Sequence, residues 1–216
     1  MSDEAYFASY SKPRVHKLML ADTERMSAYS QAILNNPHLF KDKVVLDVGC
    51  GTGILSLMAA QAGAQKVYAI DNCDITSTAE EIIAANNFDK VITVINGLME
   101  DVILPEKVDV IVSEWMGYLL LFEGMLPTVL AARDRWLLPG GLMFPDKAAI
   151  SIFGMHQPLF ERNALFWKNV HGFDFSAMAK KEADIGLIVT TDPRNIITSP
   201  WTHDRPASEV ANQSFF

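Results

Sequence analysis

One stretch of the chain, residues 44–56, constrains the possible fold more than any other. An apolar run typical of a strand, Val44 to Val48, contains a single acid, Asp47. The run breaks into Gly49-Cys-Gly-Thr-Gly53 and resumes as a helix-like segment, Ile54 to Ala62. Glycines allow the backbone to approach a ligand closely, and the N-terminus of a helix presents unpaired N–H groups. The stretch therefore predicts a strand, a glycine turn and a helix, with a ligand pocket at the turn.

A second acid narrows the class of ligand. Asp71 ends the next apolar run, twenty positions after Gly51, where a carboxylate can accept both hydroxyls of a ribose. The glycine spacing is Gly-x-Gly-x-Gly rather than the dinucleotide pattern, and Asp47 would repel a pyrophosphate. S-adenosylmethionine, which has a ribose, a cationic amino group and a sulfonium but no phosphate, fits both acids. A tight βα turn that binds nothing remains the alternative.

Residues 44–145 alternate between strand-like and helix-like segments. This order predicts an α/β fold with a doubly wound, mostly parallel sheet, in which ligands bind at the carboxyl ends of the strands. Gly49, Asp71, Glu100 and Glu114 all fall at or just beyond predicted strand ends, which supports one shared pocket. The predicted helices cover 14–36, Thr76–Asn87, Met125–Leu137 and Pro158–Trp167. The later strands are predicted at Val91–Ile95, Val108–Ser113 and Ala148–Met155. Another strand is predicted to start at Leu142, after Pro139-Gly140-Gly141 has ended the preceding helix.

Composition and charge exclude some partners and favour others. The formal charge of −8 argues against direct nucleic-acid binding and is compatible with a basic partner such as a Lys- or Arg-rich peptide. Two cysteines, Cys50 and Cys73, give no disulfide framework and indicate a reducing compartment. The sequence shows no signal peptide and no apolar run of membrane-spanning length. We expect no membrane association and a cytoplasmic location, with the nucleus as a second compartment.

Two carboxylates in the stretch 113–123 suggest the chemistry. Glu114 follows the fourth strand, and Glu123 could meet it across a hairpin-like loop. Such a pair can hold two edges of a guanidinium through charge-assisted hydrogen bonds, which leaves the third nitrogen to attack a methyl group. Positioning and charge alignment would supply most of the rate. Two surface glutamates with no shared role remain the alternative.

These residues resemble a known family. Ser113-Glu-Trp-Met-Gly-Tyr with Phe122-Glu-Gly-Met resembles the double-glutamate loop of protein arginine methyltransferases, and residues 45–56 resemble that family's cofactor motif. The resemblance implies transfer of a methyl group from S-adenosylmethionine to arginine in proteins such as histones or RNA-binding proteins, giving monomethyl- and asymmetric dimethylarginine and S-adenosylhomocysteine. The site residues it implies are Glu114 and Glu123 as catalytic groups, His16, Arg25, Gly49, Asp71 and Glu100 as cofactor-binding residues, and Tyr10 and Met19 as residues that shape the substrate position; no metal is expected.

The resemblance also implies a domain organisation. We expect an N-terminal helical cofactor lid at 1–36, a Rossmann-like domain that binds S-adenosylmethionine at 37–145, and an incomplete β-barrel domain at 146–216. A helical arm at about 160–188 would form a homodimer or a hetero-oligomer.

The chain departs from the family pattern at Asp71, where Glu is usual, and at Gly124, where Ser is common. It also lacks the family's Thr-His-Trp loop, which predicts a fragment or a natural short form. A non-catalytic subunit that binds or regulates a partner is therefore the alternative function.

Overall fold

The structure is a computed structural model that describes residues 12–156, 158–183, 185, 191–199 and 201–206. Its described residues fall into two compact units. The first contains the residues up to Ala148 together with 205–206, and the second contains those from Ala149 to Asp204. No described helix is long and apolar enough to span a membrane.

Two short helices begin the first unit where the sequence predicted one helical run. They are α1 (Pro13–Leu20) and α2 (Thr23–Leu34), and a 3₁₀ turn (Pro37–Leu39) follows them. The run breaks because Asp22 is extended and caps α2, since its carboxylate accepts a hydrogen bond from the Arg25 backbone N–H at 3.1 Å. The two helices can therefore present different side chains to the same site.

A five-stranded parallel sheet forms the centre of the first unit, in the order β3-β2-β1-β4-β5. The order reverses direction beside β1, which places a crevice at the carboxyl end of that strand. The predicted doubly wound α/β fold is confirmed. The elements are β1 (Val44–Val48), α3 (Ile54–Gln61), β2 (Lys66–Asp71), α4 (Ile75–Ala85), β3 (Ile92–Asn96), β4 (Val108–Val112), α5 (Leu126–Trp136) and β5 (Leu137–Phe144).

Helices cover both faces of the sheet, so its central strands are apolar on both sides. All five residues of β1 are buried. Val45 packs in one cluster with residues of α2, α3 and α4, whereas Leu46 and Val48 pack in a second cluster with residues of α5. The alternation follows from the period-two geometry of a strand. Burial on both faces fixes the register of β1 and therefore the position of the turn that follows it.

The fifth strand begins earlier than predicted. Leu137 pairs with Val108 and Leu142 pairs with Val110, so the strand starts at Leu137 and contains the Pro-Gly-Gly sequence. Between these two pairs lie one residue of β4 and four residues of β5, so the extra residues of β5 form an irregularity. A side chain at Gly141 would lie 2.8 Å from the Asp109 carbonyl oxygen, which explains why glycine occupies that position. The prediction that this sequence ends a helix outside the strand was wrong.

The second unit contains two helices and most of a strand pair. Strand β6 (Lys147–Ile152) pairs with β7 (Trp201–Pro206), and α6 (Pro158–Lys168) and α7 (Ser176–Ala183) pack together. Helix α7 lies in a region that the sequence left as mixed. Many of the large apolar side chains of this unit are exposed, among them Phe160, Leu165, Phe166, Phe173 and Phe175.

Candidate functional site

The glycine turn after β1 is locked to the neighbouring strand. The backbone N–H groups of Gly49 and Cys50 both donate to the Ile70 carbonyl of β2, at 2.8 and 2.9 Å. Gly49, Gly51 and Gly53 all have positive φ, which side-chain-bearing residues rarely adopt. A Cβ at Gly49 would also lie 2.3 Å from the terminal methyl of Met125. The turn therefore requires glycine for its backbone conformation, and the flexible end of Met125 packs against it.

Asp71 links the glycine turn after β1 to the turn that follows β2. One carboxylate oxygen accepts a hydrogen bond from the Gly51 N–H at 2.8 Å, and the other accepts from the Cys73 N–H at 2.9 Å. Each oxygen retains a second lone pair that can accept a hydroxyl. The predicted ribose acid thus lies at the glycine turn, where it also fixes the backbone around it.

Asp47 is a buried acid with incomplete hydrogen bonding. Its side chain is fully buried; one carboxylate oxygen accepts from the Ser56 hydroxyl at 2.7 Å and the other has no partner. Burial raises the pKa of Asp47 to about 7; the Ser56 hydrogen bond opposes this shift, and the charge of Asp71 adds to it. When ionised, this buried carboxylate places a negative charge behind the glycine turn, which favours a ligand with a cationic group.

His16 of α1 covers the same turn. Its side chain is buried, and its ring carbon Cε1 lies 3.2 Å from the position that a Cβ on Gly51 would occupy. Met19, on the same helix, is half-buried. Tyr10, the other predicted substrate-shaping residue, lies outside the described residues. The structure therefore brings His16 to the predicted cofactor site.

Arg25 and Glu114, which were predicted for different roles, contact each other. The Arg25 guanidinium donates from Nη1 to Glu114 Oε2 at 2.8 Å, and its Nε lies 3.5 Å from Asp22. Burial raises the pKa of Glu114; the positive charge of Arg25 lowers it, and the negative charge of Glu123 raises it. Glu114 is thus a partly buried carboxylate that already accepts a hydrogen bond from a guanidinium.

The loop between the two glutamates is a tight hairpin. Gly117 and Leu120 form an isolated β-bridge, and a Cβ at Gly117 would lie 3.0 Å from the Glu123 Cγ. Glu123 is exposed, and its charge acts on Glu114. The hairpin-like geometry predicted for this loop is therefore present, with the two carboxylates close enough to interact.

Glu100 lies in the loop after β3. Its Oε1 accepts a hydrogen bond from the Thr128 hydroxyl of α5 at 2.6 Å, and its side chain is exposed. The loop follows the carboxyl end of β3, the strand next to the one that ends in Asp71. Glu100 is thus available at the same edge of the sheet as the other predicted residues.

Sequence reasoning missed three residues that shape the site. Tyr29 donates its hydroxyl to the Ser113 carbonyl at 2.8 Å, and the Ser113 hydroxyl donates to the Val48 carbonyl at 2.8 Å. These bonds fix the backbone immediately before Glu114. The third, Met125, packs on Gly49. Tyr29 did carry a signal, because it lies one helical turn after Arg25 and so faces the same side of α2.

The arrangement can bind a cationic, ribose-containing ligand and a guanidinium side by side. Among the described residues, no group of three or more His, Cys, Asp or Glu side chains could hold a metal ion. Cys50 and Cys73 are free and buried, and burial raises the pKa of both thiols, to about 12 for Cys73. Neither thiol is therefore a ready nucleophile.

Comparisons with known proteins agree with this geometry. Residues 27–131 match the family model described as ribosomal protein L11 methyltransferase (PrmA). The chain is 51% identical to protein arginine N-methyltransferase 1 of Dictyostelium discoideum over 92% of its own length and 59% of that protein.

Solved structures give the same result. The Trypanosoma brucei PRMT1 enzyme-prozyme heterotetrameric complex with AdoHcy matches with a TM-score of 0.83 and 45% identity, over 92% of this chain and 63% of that one. Arabidopsis thaliana protein arginine methyltransferase 10 matches with a TM-score of 0.82 and 38% identity, over 94% and 64%. The chain thus spans about three fifths of the length of these relatives. With the glycine turn, the two acids and the double-glutamate loop in place, the chain belongs to the protein arginine methyltransferase family.

Proposed function

We propose that the chain transfers a methyl group from S-adenosylmethionine to a guanidinium nitrogen of arginine in a protein substrate. The observation that carries this proposal is the hydrogen bond from a guanidinium, that of Arg25, to Glu114 at 2.8 Å, with the charge of Glu123 acting on the same carboxylate. The sheet edge beside this pair has the acids that a ribose and a cationic amine require. The site therefore combines a nucleophile-binding half with a cofactor-binding half.

The residues present fit the cofactor. Asp71 would accept the ribose hydroxyls, and the negative charge of Asp47, buried behind the turn, favours the cationic amino group. His16 closes the glycine turn from α1, and Glu100 provides an acceptor for the exocyclic amine of the base. Arg25 would bind the ligand's carboxylate. The relative from Trypanosoma brucei was solved with AdoHcy, which supports this assignment.

The chemistry follows from what the two carboxylates do to a guanidinium. S-adenosylmethionine supplies an electrophilic methyl on a sulfonium and leaves as a neutral thioether. Glu114 and Glu123 hold two edges of the substrate guanidinium, so its positive charge is drawn toward them and the remaining nitrogen keeps electron density for attack. When the new N–C bond forms, the nitrogen carries an extra proton, and one of the carboxylates accepts it. The raised pKa of Glu114 suits that role.

The Arg25–Glu114 ion pair also favours a second candidate function. While Arg25 occupies Glu114, this carboxylate is engaged by the chain's own guanidinium and not by a substrate. A non-catalytic subunit that binds the cofactor and regulates a partner would keep this pair. The exposed apolar side chains of α6 and α7 fit a homodimer or hetero-oligomer, in a cytoplasmic setting that suits two free thiols.

The test combines binding and turnover in one preparation. We expect calorimetric titration with S-adenosylmethionine to show binding, and an arginine-rich peptide to become methylated. Binding without transfer would favour the non-catalytic subunit, and absence of binding would contradict both functions. Arg25→Ala should weaken cofactor binding about tenfold, because it removes a charge-assisted hydrogen bond to a carboxylate. Unchanged affinity in this variant would remove Arg25 from the site.

A further inference from the structure

The loop that carries Glu100 is anchored at two points and open between them. Met99 and Leu104 are buried in the core cluster that α5 shares, whereas Ile103 is 81% exposed. Within the loop, the N–H groups of Asp101 and Val102 both donate to the Leu98 carbonyl, at 2.9 and 3.1 Å. These bonds satisfy two N–H groups of the loop, but the carbonyls of Glu100 and Val102 need hydrogen-bond donors from another part of the chain.

Arg135 supplies both donors. Its guanidinium donates from Nη1 to the Glu100 carbonyl and from Nη2 to the Val102 carbonyl, the latter at 3.4 Å. Arg135 lies on α5 seven residues after Thr128, whose hydroxyl bonds the Glu100 carboxylate, so both residues lie on one face of the helix. One face of α5 thus fixes the side chain and the backbone of Glu100.

A cation–aromatic cluster holds Arg135 in this orientation. Its guanidinium carbon lies 5.4 Å from the centre of the Trp136 ring, and the Lys107 ammonium lies 5.7 Å from the same ring. Lys107 ends the Glu100 loop and also donates to the Arg135 carbonyl. The middle of the loop and its C-terminal end are therefore both tied to the last turn of α5.

We propose that Arg135 is a positioning residue that holds the Glu100 loop so that the Glu100 carboxylate accepts a hydrogen bond from the exocyclic amine of the cofactor's purine. This inference rests on the proposed function, because it assigns the purine to Glu100. Loss of the two hydrogen bonds from Arg135 would make the segment between Met99 and Leu104 more mobile. The Glu100 carboxylate would then spend less time oriented to accept a hydrogen bond from the purine amine. Selectivity for the 6-amino group should fall, while contacts to ribose and amino acid stay.

The test compares two probes that differ at one position of the base. S-adenosylhomocysteine has an amine at position 6, and S-inosylhomocysteine has a carbonyl there, so only the first can donate to Glu100 from position 6. We expect the unchanged protein to prefer the adenosyl probe. Arg135→Gln should weaken adenosyl binding about three- to tenfold, as expected for weakening one charge-assisted bond, and leave inosyl binding unchanged. Arg135→Lys should retain part of the preference.

Arg133→Gln is the matched control, because Arg133 is on the same helix but pairs with Asp134. It should change binding of neither probe. In the ligand-free protein, amide hydrogen exchange at residues 98–107 should be faster in Arg135→Gln and normal in Arg133→Gln. Equal losses for both probes in Arg135→Gln, or an unchanged preference, would overturn this inference alone. Failure of the unchanged protein to bind S-adenosylhomocysteine would contradict the proposed function as well.

Discussion

The glycine turn and the double-glutamate loop both follow buried strands, but they differ in which part of the chain supplies the stabilising hydrogen bonds. The turn is tied to β2 by three backbone N–H groups, which donate to Ile70 and Asp71. The loop is closed by one bridge, and its tip exposes large apolar side chains; Leu119 is 90% exposed. Leu119 and Leu120 also have positive φ, which is costly for residues other than glycine. The glycine turn is thus held by the neighbouring strand, whereas the tip of the double-glutamate loop is held by contacts within the loop itself.

The two ends of the double-glutamate loop also differ in how firmly they are anchored to the rest of the protein. The Glu114 end is anchored by Tyr29 through Ser113, and Arg25 contacts the carboxylate itself. Both contacts come from α2, so this helix joins the cofactor half to the substrate half. The Glu123 end is exposed. Changes at Glu123 should therefore affect chemistry with little effect on the turn, and changes in the turn should affect binding and stability.

The largest expected effect is on methyl transfer. Glu123→Gln keeps the shape of the side chain but removes the charge that helps to hold and align the guanidinium. We expect transfer to an arginine-rich peptide to fall at least about 100-fold, the usual loss for one charge-stabilising group. Affinity for S-adenosylhomocysteine should stay within about twofold. Initial rates and calorimetry on the same preparation measure both quantities.

The matched control for this variant is Glu81→Gln, an exposed glutamate on α4. It removes the same charge from the surface and should leave the rate unchanged. Transfer at the normal rate in Glu123→Gln would refute the assigned chemistry. A large parallel loss of cofactor affinity would instead show that the two halves are not separable as the structure suggests.

A smaller effect is expected when the same substitution is made in both regions. Gly49 and Gly124 have nearly equal positive φ values, 73° and 71°. A Cβ at Gly49 would clash with Met125, whereas a Cβ at Gly124 would meet nothing within 4 Å. Gly124→Ala should cost about 1 kcal/mol of unfolding free energy, the price of the backbone conformation alone. Gly49→Ala should cost a similar amount, because the flexible end of Met125 can move aside, but it should weaken S-adenosylhomocysteine binding roughly tenfold, because the added methyl and the shifted Met125 lie at the cofactor turn.

Urea denaturation gives the two free energies, and calorimetry gives the affinities. Unchanged cofactor affinity in Gly49→Ala would show that the approach of Met125 to Gly49 has no consequence for binding. The comparison separates a glycine kept for conformation alone from one kept also for the cofactor site.

The sequence predicted the regions whose signals are local. Residues 44–56 carry an apolar run, glycines and a helical run in direct succession, so β1, the turn and α3 were all predicted within a few residues. The sheet followed from the alternation of such segments. The start of β5 was missed because Pro139-Gly140-Gly141 is typical of a turn, and only pairing with β4 makes it part of a strand.

Contacts between distant residues could not be predicted. Arg25 and Glu114 are 89 positions apart, and each was assigned from its own motif to a different ligand. The packing of Met125 on Gly49 likewise depends on how α5 is placed after the loop. The resemblance named the two glutamates, but only the fold shows that α2 contacts both Glu114 and the residue before it.

The last prediction concerns the buried acid behind the glycine turn. The pKa of Asp47 is about 7 in the folded protein, whereas the ordinary value of an aspartate, which applies to the unfolded chain, is 3.8. Below pH 4 both states hold the proton and Asp47 has no pH-dependent effect. Between pH 4 and 7 the folded state keeps a proton that the unfolded state releases, so stability falls as pH rises, on the order of 1 kcal/mol per pH unit. Asp47→Asn cannot ionise and should escape this loss.

The midpoint of thermal unfolding of Asp47→Asn, relative to the unchanged protein, should therefore rise between pH 5 and pH 8. Asp101→Asn, which replaces an exposed aspartate of the Glu100 loop, is the matched control measured in the same series. S-adenosylhomocysteine at pH 8 should narrow the gap for Asp47→Asn, because its cationic amine stabilises the carboxylate that the asparagine lacks. Parallel curves for both variants would mean that Asp47 is ionised in the folded protein throughout this range. Some further interaction would then stabilise the buried negative charge of Asp47. The unfolding midpoint would in that case depend on the ionisation of Asp47 no more than on that of Asp101.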